Sequence, residues 1–161
     1  MSLITPKTAL ISLSDKTNLD LMVKFLLDQK VKIISTGGTY RAIKDITDEV
    51  LEVSEFTGFE EMMDGRVKTL HPKIHAGILA RRDLDMKILT DRGYEVIDMV
   101  IVNLYPFKET VASGCPFEEA IEKIDIGGPT MIRSAAKNFK DVAVISDPND
   151  YTHIIDEWKN K

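Results

Sequence analysis

The chain has 161 residues, of which 43% are hydrophobic and 29% are charged, and its formal net charge is -5 at pH 7. This length and this ordinary composition predict one globular domain over residues 1–161 and argue against disorder. The acidic balance, without interleaved basic and aromatic residues, argues against nucleic-acid binding, and no apolar run is long enough to span a membrane.

The N-terminal sequence and the cysteine content also restrict the class of protein. The first seven residues lack the long apolar segment of a secretory signal, so we expect a cytoplasmic protein. Cys115 is the only cysteine, which excludes an internal disulfide and a thiolate metal site. His71 and His75 are four residues apart, but Pro72 is expected to break the helical geometry that a shared ion would need. The sequence therefore predicts no metal site.

Short apolar segments alternate with segments of helical period along the chain. The stripe Leu19, Met22, Val23 and Leu26 predicts an amphipathic helix, and residues 40–44 predict a shorter one. Further helices are expected after Asp83, Pro116, Pro129 and Pro148. The predicted strands are residues 9–13, 31–35, 50–53, 99–104 and 142–145. This order predicts an α/β fold with a doubly wound, mainly parallel five-stranded sheet flanked by helices.

Two polar loops follow the first two predicted strands. The first contains Ser12, Ser14 and Lys16, and the second is Ser-Thr-Gly-Gly-Thr over residues 35–39. Ligands of open α/β sheets bind at the carboxyl ends of strands, where glycines let the backbone approach a phosphate. The alternative is that these loops contain only turn glycines and helix caps.

A basic segment, Gly-Arg-Val-Lys-Thr-Leu-His-Pro-Lys-Ile-His over residues 65–75, is unusual in an acidic chain. Because Pro72 is expected to prevent a regular helix or central strand, the segment is predicted to be a loop that binds an anion. A solvated basic turn is the alternative.

Two later segments carry further candidate groups. Asn103 and Tyr105 follow the fourth strand and can hydrogen-bond a substrate, although Tyr105 could instead pack in the core. Asp125 precedes Gly127 and Gly128, and this pair of glycines favours a binding site over a simple helix cap. From its spacing alone, Lys137 is an ordinary solvated helix lysine.

Together these segments closely resemble the inosine monophosphate (IMP) cyclohydrolase domains, which have the methylglyoxal synthase-like fold. In that family a folate-dependent transformylase domain normally follows on the same polypeptide, and the full-length enzyme is expected to be a homodimer. No transformylase segment is recognisable in this chain. The matching residues occur in the family's order and are 12–17, 36–39, 65–71, 75–80, 103–107, 124–128 and 135–138.

The resemblance implies the last step of purine biosynthesis, a dehydrative ring closure of formamido-imidazole-carboxamide ribonucleotide to IMP without metal or organic cofactor. By similarity, Lys68 and Tyr105 stabilise the formyl oxygen, and Asp125 and Lys137 transfer protons. The remaining matched residues are implied to bind the purine ribonucleotide: Ser12, Ser14, Lys16, Thr36, Gly37, Gly38, Thr39, Arg66, Thr69, Asn103, Ile126, Gly127 and Gly128.

Geometry raises one objection to these roles. A straight helix over residues 129–137 would separate its ends by ~12 Å. Asp125 and Lys137 can then share a proton only if the preceding loop folds back or the helix is short or broken. Two other functions stay open: methylglyoxal synthase, and a non-catalytic nucleotide-sensing domain like the one that ends carbamoyl phosphate synthetase.

Overall fold

The computed structural model describes residues 5–160, so Lys161 and the first four residues of the N-terminal segment discussed above lie outside it. Five strands form one sheet in the order β3-β2-β1-β4-β5, and every pairing is parallel. The strands are β1 (Thr8–Ser12), β2 (Lys32–Ser35), β3 (Leu51–Glu52), β4 (Met99–Val102) and β5 (Ala143–Ile145). The predicted sheet is confirmed, and it is parallel throughout.

The order of the strands reverses beside β1. From β1 the chain adds β2 and β3 on one side, and then crosses to add β4 and β5 on the other. Ile11 of β1 pairs with Ser35 of β2 and with Ile101 of β4, so the carboxyl ends of these strands meet at one edge. Such a switch point leaves a crevice outside the strand ends where ligands of α/β proteins bind.

Helices cover both faces of the sheet, as predicted for a doubly wound fold. One core contains Leu19, Met22, Val23 and Leu26 of the predicted stripe, and the opposite core contains Phe56, Ile78 and Met131. None of the described helices is long and apolar enough to cross a membrane. The helices are α1 (Leu19–Asp28), α2 (Gly37–Lys44), α3 (Val53–Thr57), α4 (Pro72–Leu79), α5 (Met86–Asp91), α6 (Phe107–Ala112), α7 (Phe117–Glu122), α8 (Gly127–Lys137) and α9 (Tyr151–Lys159), the last preceded by a 3₁₀ turn, Pro148–Asp150.

The prediction that Pro72 prevents a helix is wrong. Pro72 is the first residue of α4, a position where its missing N–H removes no helical hydrogen bond. His71 caps this helix, since its Nδ1 accepts from the N–H of Lys73 at 3.0 Å. The loop of the basic segment therefore ends at His71, and the rest of the segment is helical.

Other boundaries also differ from the sequence prediction. The third strand is shorter than expected, because helix α3 already begins at Val53. The fourth strand ends at Val102, before Asn103. Helix α8 starts at Gly127, two residues before Pro129, and α6 was not predicted. These shifts leave the strand order unchanged.

A buried carboxylate fixes the amino ends of β1 and β4. Asp98 is 8% exposed, and its Oδ2 accepts from the backbone N–H groups of Lys7 at 3.0 Å and Thr8 at 3.2 Å. Its Oδ1 accepts from Nη2 of Arg82 at 3.3 Å, and the same nitrogen donates to the carbonyl of Ile97 at 3.0 Å. Asp98 thus ties the start of the two central strands to the segment after α4.

Candidate active site

A cavity of about 730 Å³ opens at the carboxyl ends of β1, β2 and β4, at the switch point of the sheet. Residues 63–70 border one side of it, and residues 121–128 border another. All the predicted site residues line this cavity except Gly37 and Lys137: they are Ser12, Ser14, Lys16, Thr36, Gly38, Thr39, Arg66, Lys68, Thr69, Asn103, Tyr105, Asp125, Ile126, Gly127 and Gly128.

Two lysines flank the amino end of α2. Gly37 has a φ of +57°, and a Cβ added to it would lie 3.1 Å from Nζ of Lys68. A Cβ added to Gly38 would lie 3.8 Å from Nζ of Lys16. Thr36 precedes the helix and is 5% exposed, but its side chain does not cap the first turn. The helix end thus combines backbone N–H donors with two ammonium groups, an arrangement suited to a phosphate.

Asn103 holds the loop that follows β1. Its Oδ1 accepts from the backbone N–H groups of Ser14 at 2.7 Å and Asp15 at 2.9 Å, and its Nδ2 donates to the carbonyl of Asp15 at 2.7 Å. Thr39 adds a second tie, because its hydroxyl donates to the carbonyl of Leu13 and accepts from its N–H. These contacts position Ser14 and Lys16. Direct contacts of Asn103 and Thr39 with a substrate remain predictions.

The same loop contains one perturbed carboxylate. Asp15 accepts hydrogen bonds from the hydroxyl of Thr17 at 2.6 Å and from its backbone N–H at 2.9 Å. These two bonds favour the ionised form and hold the pKa of Asp15 below its usual value.

Asp125 lies against the first turn of α8. Its Oδ1 accepts from the N–H of Gly128 at 2.9 Å, and its Oδ2 accepts from the N–H of Tyr105 at 3.3 Å. A Cβ on Gly128 would lie 2.8 Å from the same carboxylate and 2.7 Å from a methyl group of Leu104, so only glycine leaves this space. Asp125 is not the N-cap residue, which is Ile126, but its bond to the first turn fixes the carboxylate at the cavity wall.

Tyr105 and Thr69, which lie near the amino end of α8, differ in exposure. Tyr105 is 43% exposed, so the alternative that it packs in the core is wrong. Nζ of Lys123 lies 5.7 Å from the centre of its ring. Thr69 is only 4% exposed, and its hydroxyl would be 2.3 Å from a Cβ on Gly127. The basic segment thus packs against the amino end of α8 at Thr69, whereas its Arg66 side chain is exposed.

Lys137 is not brought to the cavity. It is the exposed last residue of α8, an uninterrupted helix of 11 residues. At ~1.5 Å per residue, about 15 Å of helix separates it from Gly127 beside the Asp125 carboxylate. The helix is neither short nor broken, and the preceding loop holds Asp125 at its first turn, so the two groups lie at opposite ends of α8.

Several cavity residues were missed by the sequence analysis. They lie in the hairpin before Lys68, in the segment before Asp125 and, for Met131, in α8, and the only signal was their nearness in sequence to the predicted site residues. No cluster of three histidine, cysteine or acidic side chains that could hold a metal ion occurs within residues 5–160. The missed residues include Met63, Asp64, Ile121, Glu122, Lys123, Ile124 and Met131.

The match to a sequence family agrees with this geometry. Residues 19–130 match the family described as the MGS-like domain. The chain belongs to the MGS-like domain family. A solved structure titled "Crystal structure of ForH" superposes on it with a TM-score of 0.81 and 34% sequence identity, covering 97% of this chain and 81% of that one. The predicted family resemblance and fold are confirmed.

Curated relatives share more of the sequence. Proteins named "Bifunctional purine biosynthesis protein PurH" are 56% identical over 155 residues in Clostridium botulinum (strain Langeland) and 60% identical over 153 residues in Fusobacterium nucleatum. These alignments cover 95% and 94% of this chain, but only 31% and 30% of the relatives. The chain therefore spans about a third of the length of the curated relatives it matches.

Proposed function

We propose that this chain is an IMP cyclohydrolase domain that closes formamido-imidazole-carboxamide ribonucleotide to IMP with loss of water. One observation carries the proposal: a single cavity joins a phosphate-type helix end to Tyr105 and Asp125, with Lys68 in the same cavity. A volume of about 730 Å³ lies within the range of small-molecule sites. The high identity to proteins named for purine biosynthesis supports the same conclusion.

The two ends of the cavity suggest an orientation for the substrate. The phosphate binds at the amino end of α2, beside Lys16. The imidazole carboxamide then lies toward Asp125 and Tyr105, where Ile126 and Met131 supply apolar surface for the flat ring. A bound substrate held at both ends loses the freedom that would otherwise separate the reacting groups.

The proposed reaction forms a bond between the carboxamide nitrogen and the formyl carbon. Negative charge develops on the formyl oxygen, where the Lys68 ammonium and the Tyr105 hydroxyl stabilise it. Asp125 accepts a proton from the attacking nitrogen and passes it to the formyl oxygen. The formamido nitrogen gives up its own proton as the C–O bond breaks and the ring C=N bond forms, so that the oxygen leaves as water. Lys137 has no part in this relay, because it lies at the far end of α8.

The test is to incubate the purified chain with the formamido ribonucleotide and to follow the absorbance of IMP. We expect ring closure without folate and without added metal, because the groups in the proposed steps all lie in one cavity. Activity that appears only after a transformylase domain is added would contradict the proposal. No activity under either condition would favour a nucleotide-sensing role.

The family description leaves methylglyoxal synthase as a second candidate, and ligand binding separates the two. We expect IMP to raise the unfolding temperature of the chain, because a ligand that binds only the folded state stabilises it. Dihydroxyacetone phosphate, which offers a phosphate but no purine ring, should raise it much less. Thermal scans with equal ligand concentrations measure the difference, and the opposite ranking would favour methylglyoxal synthase.

The remaining proposals concern the full-length enzyme. The relatives are named bifunctional, and we propose that their second activity is a folate-dependent transformylase domain on the same polypeptide. A homodimeric full-length enzyme in the cytoplasm is part of the same proposal. Gel filtration of a full-length relative and of this chain would test the dimer.

A further inference from the structure

One ion pair joins the two segments that border the cavity. Arg66 follows the turn of the hairpin at residues 62–67, and Glu122 is the last residue of α7; Nη2 of Arg66 donates to Oε1 of Glu122. Both side chains line the cavity, and they are 61% and 62% exposed. An ion pair this exposed contributes little to folding stability. Stability alone therefore does not explain why the pair joins these two segments.

The hairpin has few bonds of its own to keep its shape. Only one antiparallel bridge, Met62 with Val67, closes it in the described structure. Its turn places Met63 at a φ of 57° and Asp64 at 55°, a region that costs energy for residues other than glycine. A strained turn with one bridge is poorly fixed by itself, so the bond from Arg66 to α7 restrains it.

The pair also links the two halves of the proposed chemistry. Lys68 follows Arg66 by two residues, and Asp125 follows Glu122 by three. A guanidinium has five N–H donors in a fixed plane. Glu122 occupies one arm of Arg66, which orients the plane and leaves the remaining donors for the substrate.

Resting on the proposed function, we propose that Glu122 is a positioning residue for the cyclohydrolase reaction. It acts through Arg66, and it sets the separation between the segment that carries Lys68 and the segment that carries Asp125. Its carboxylate does not contact the reacting atoms.

The first test compares Glu122→Gln with Glu119→Gln, which removes the same charge from an exposed position on the same helix. Glu122→Gln should lower kcat/KM about tenfold with a fall in kcat, because small displacements of reacting groups slow the chemical step. Glu119→Gln should match the wild type. Both variants should unfold within roughly 4 °C of it. Equal kinetics for the two variants would overturn the proposal.

A double-mutant cycle then asks whether Glu122 acts through Arg66. In the Arg66→Gln background, the further change Glu122→Gln should leave kcat/KM unchanged, because the contact is already lost. A second loss as large as in the wild type would show that Glu122 acts by another route, and it would overturn the proposal. A purely structural role for Glu122 would instead lower the unfolding temperature, which the first test measures.

Hydrogen exchange without any nucleotide tests the contact independently of activity. Glu122→Gln should speed exchange of the Met62 and Val67 amides, which bond each other's carbonyls, whereas Glu119→Gln should not. If the wild type lacks cyclohydrolase activity, the proposed function fails while this measurement still reports on the restraint. Unchanged exchange in Glu122→Gln would overturn the positioning role even in an active enzyme.

Discussion

Lys68→Ala is expected to lower kcat by roughly 10²-fold or more, the scale of losing one donor to a developing oxyanion. The lysine is proposed to meet charge that exists only as the tetrahedral intermediate forms, so affinity for IMP should change little. Steady-state kinetics of ring closure, with an IMP titration, measure both quantities.

The matched control is Lys16→Ala, which removes the second ammonium near the amino end of α2. Lys16 is proposed to hold the phosphate equally in the ground and transition states, so this variant should mainly raise KM. The Lys68 ammonium lies close to Gly37 at the amino end of α2, a position that also suits phosphate binding. Phosphate binding is therefore the alternative to the oxyanion role of Lys68. A near-normal kcat with a raised KM in Lys68→Ala would favour that role. Tyr105 or the N–H groups near Gly127 would then stabilise the oxyanion.

Asp98→Ala should lower the free energy of unfolding by about 2–4 kcal/mol, a large fraction of the stability of most domains. The change leaves Arg82 and the N–H groups of Lys7 and Thr8 without their carboxylate acceptor. Urea denaturation gives the loss. Because Asp98 lies at the amino ends of the strands and the cavity at their carboxyl ends, the kcat of the folded variant should not change.

Two further variants test whether the buried carboxylate of Asp98 causes this loss of stability. Asp98→Asn keeps an oxygen for the backbone donors but loses the charge, so it should cost less than alanine. Asp83→Ala breaks an exposed ion pair with Lys140 and should hardly change stability. If Asp98→Ala proved no worse than Asp83→Ala, the buried carboxylate would not stabilise the start of the sheet as described.

The sheet was predictable because its strands are short, apolar and separated by helical periods. The strands are apolar because helices bury them on both faces, and this burial is visible in the sequence as runs of apolar residues. The loops after β1 and β2 were also predictable, since the carboxyl ends of parallel strands share one edge. Pro72 was misjudged because proline is compatible with the first turn of a helix as well as with a loop, and the two cannot be told apart without the cap at His71.

The parts of the site that were not predicted depend on contacts between distant residues. Asn103 was expected to contact the substrate, but its amide bonds a loop about 90 positions away in sequence. Glu122 lies in an unremarkable helical run, and only the fold brings it to Arg66. Lys137 matched the family's pattern, yet an unbroken α8 places it outside the cavity.

The bonds from Asn103 to Ser14 and Asp15 span 89 and 88 positions of the chain. The loop that carries Lys16 therefore gains these bonds only when β4 has docked beside β1. A partly folded chain would contain the same residues but would bind an anion more weakly. Nucleotide binding should thus report complete folding, and a nucleotide at 100 times its Kd would draw the folding equilibrium toward the native state by about 2.7 kcal/mol.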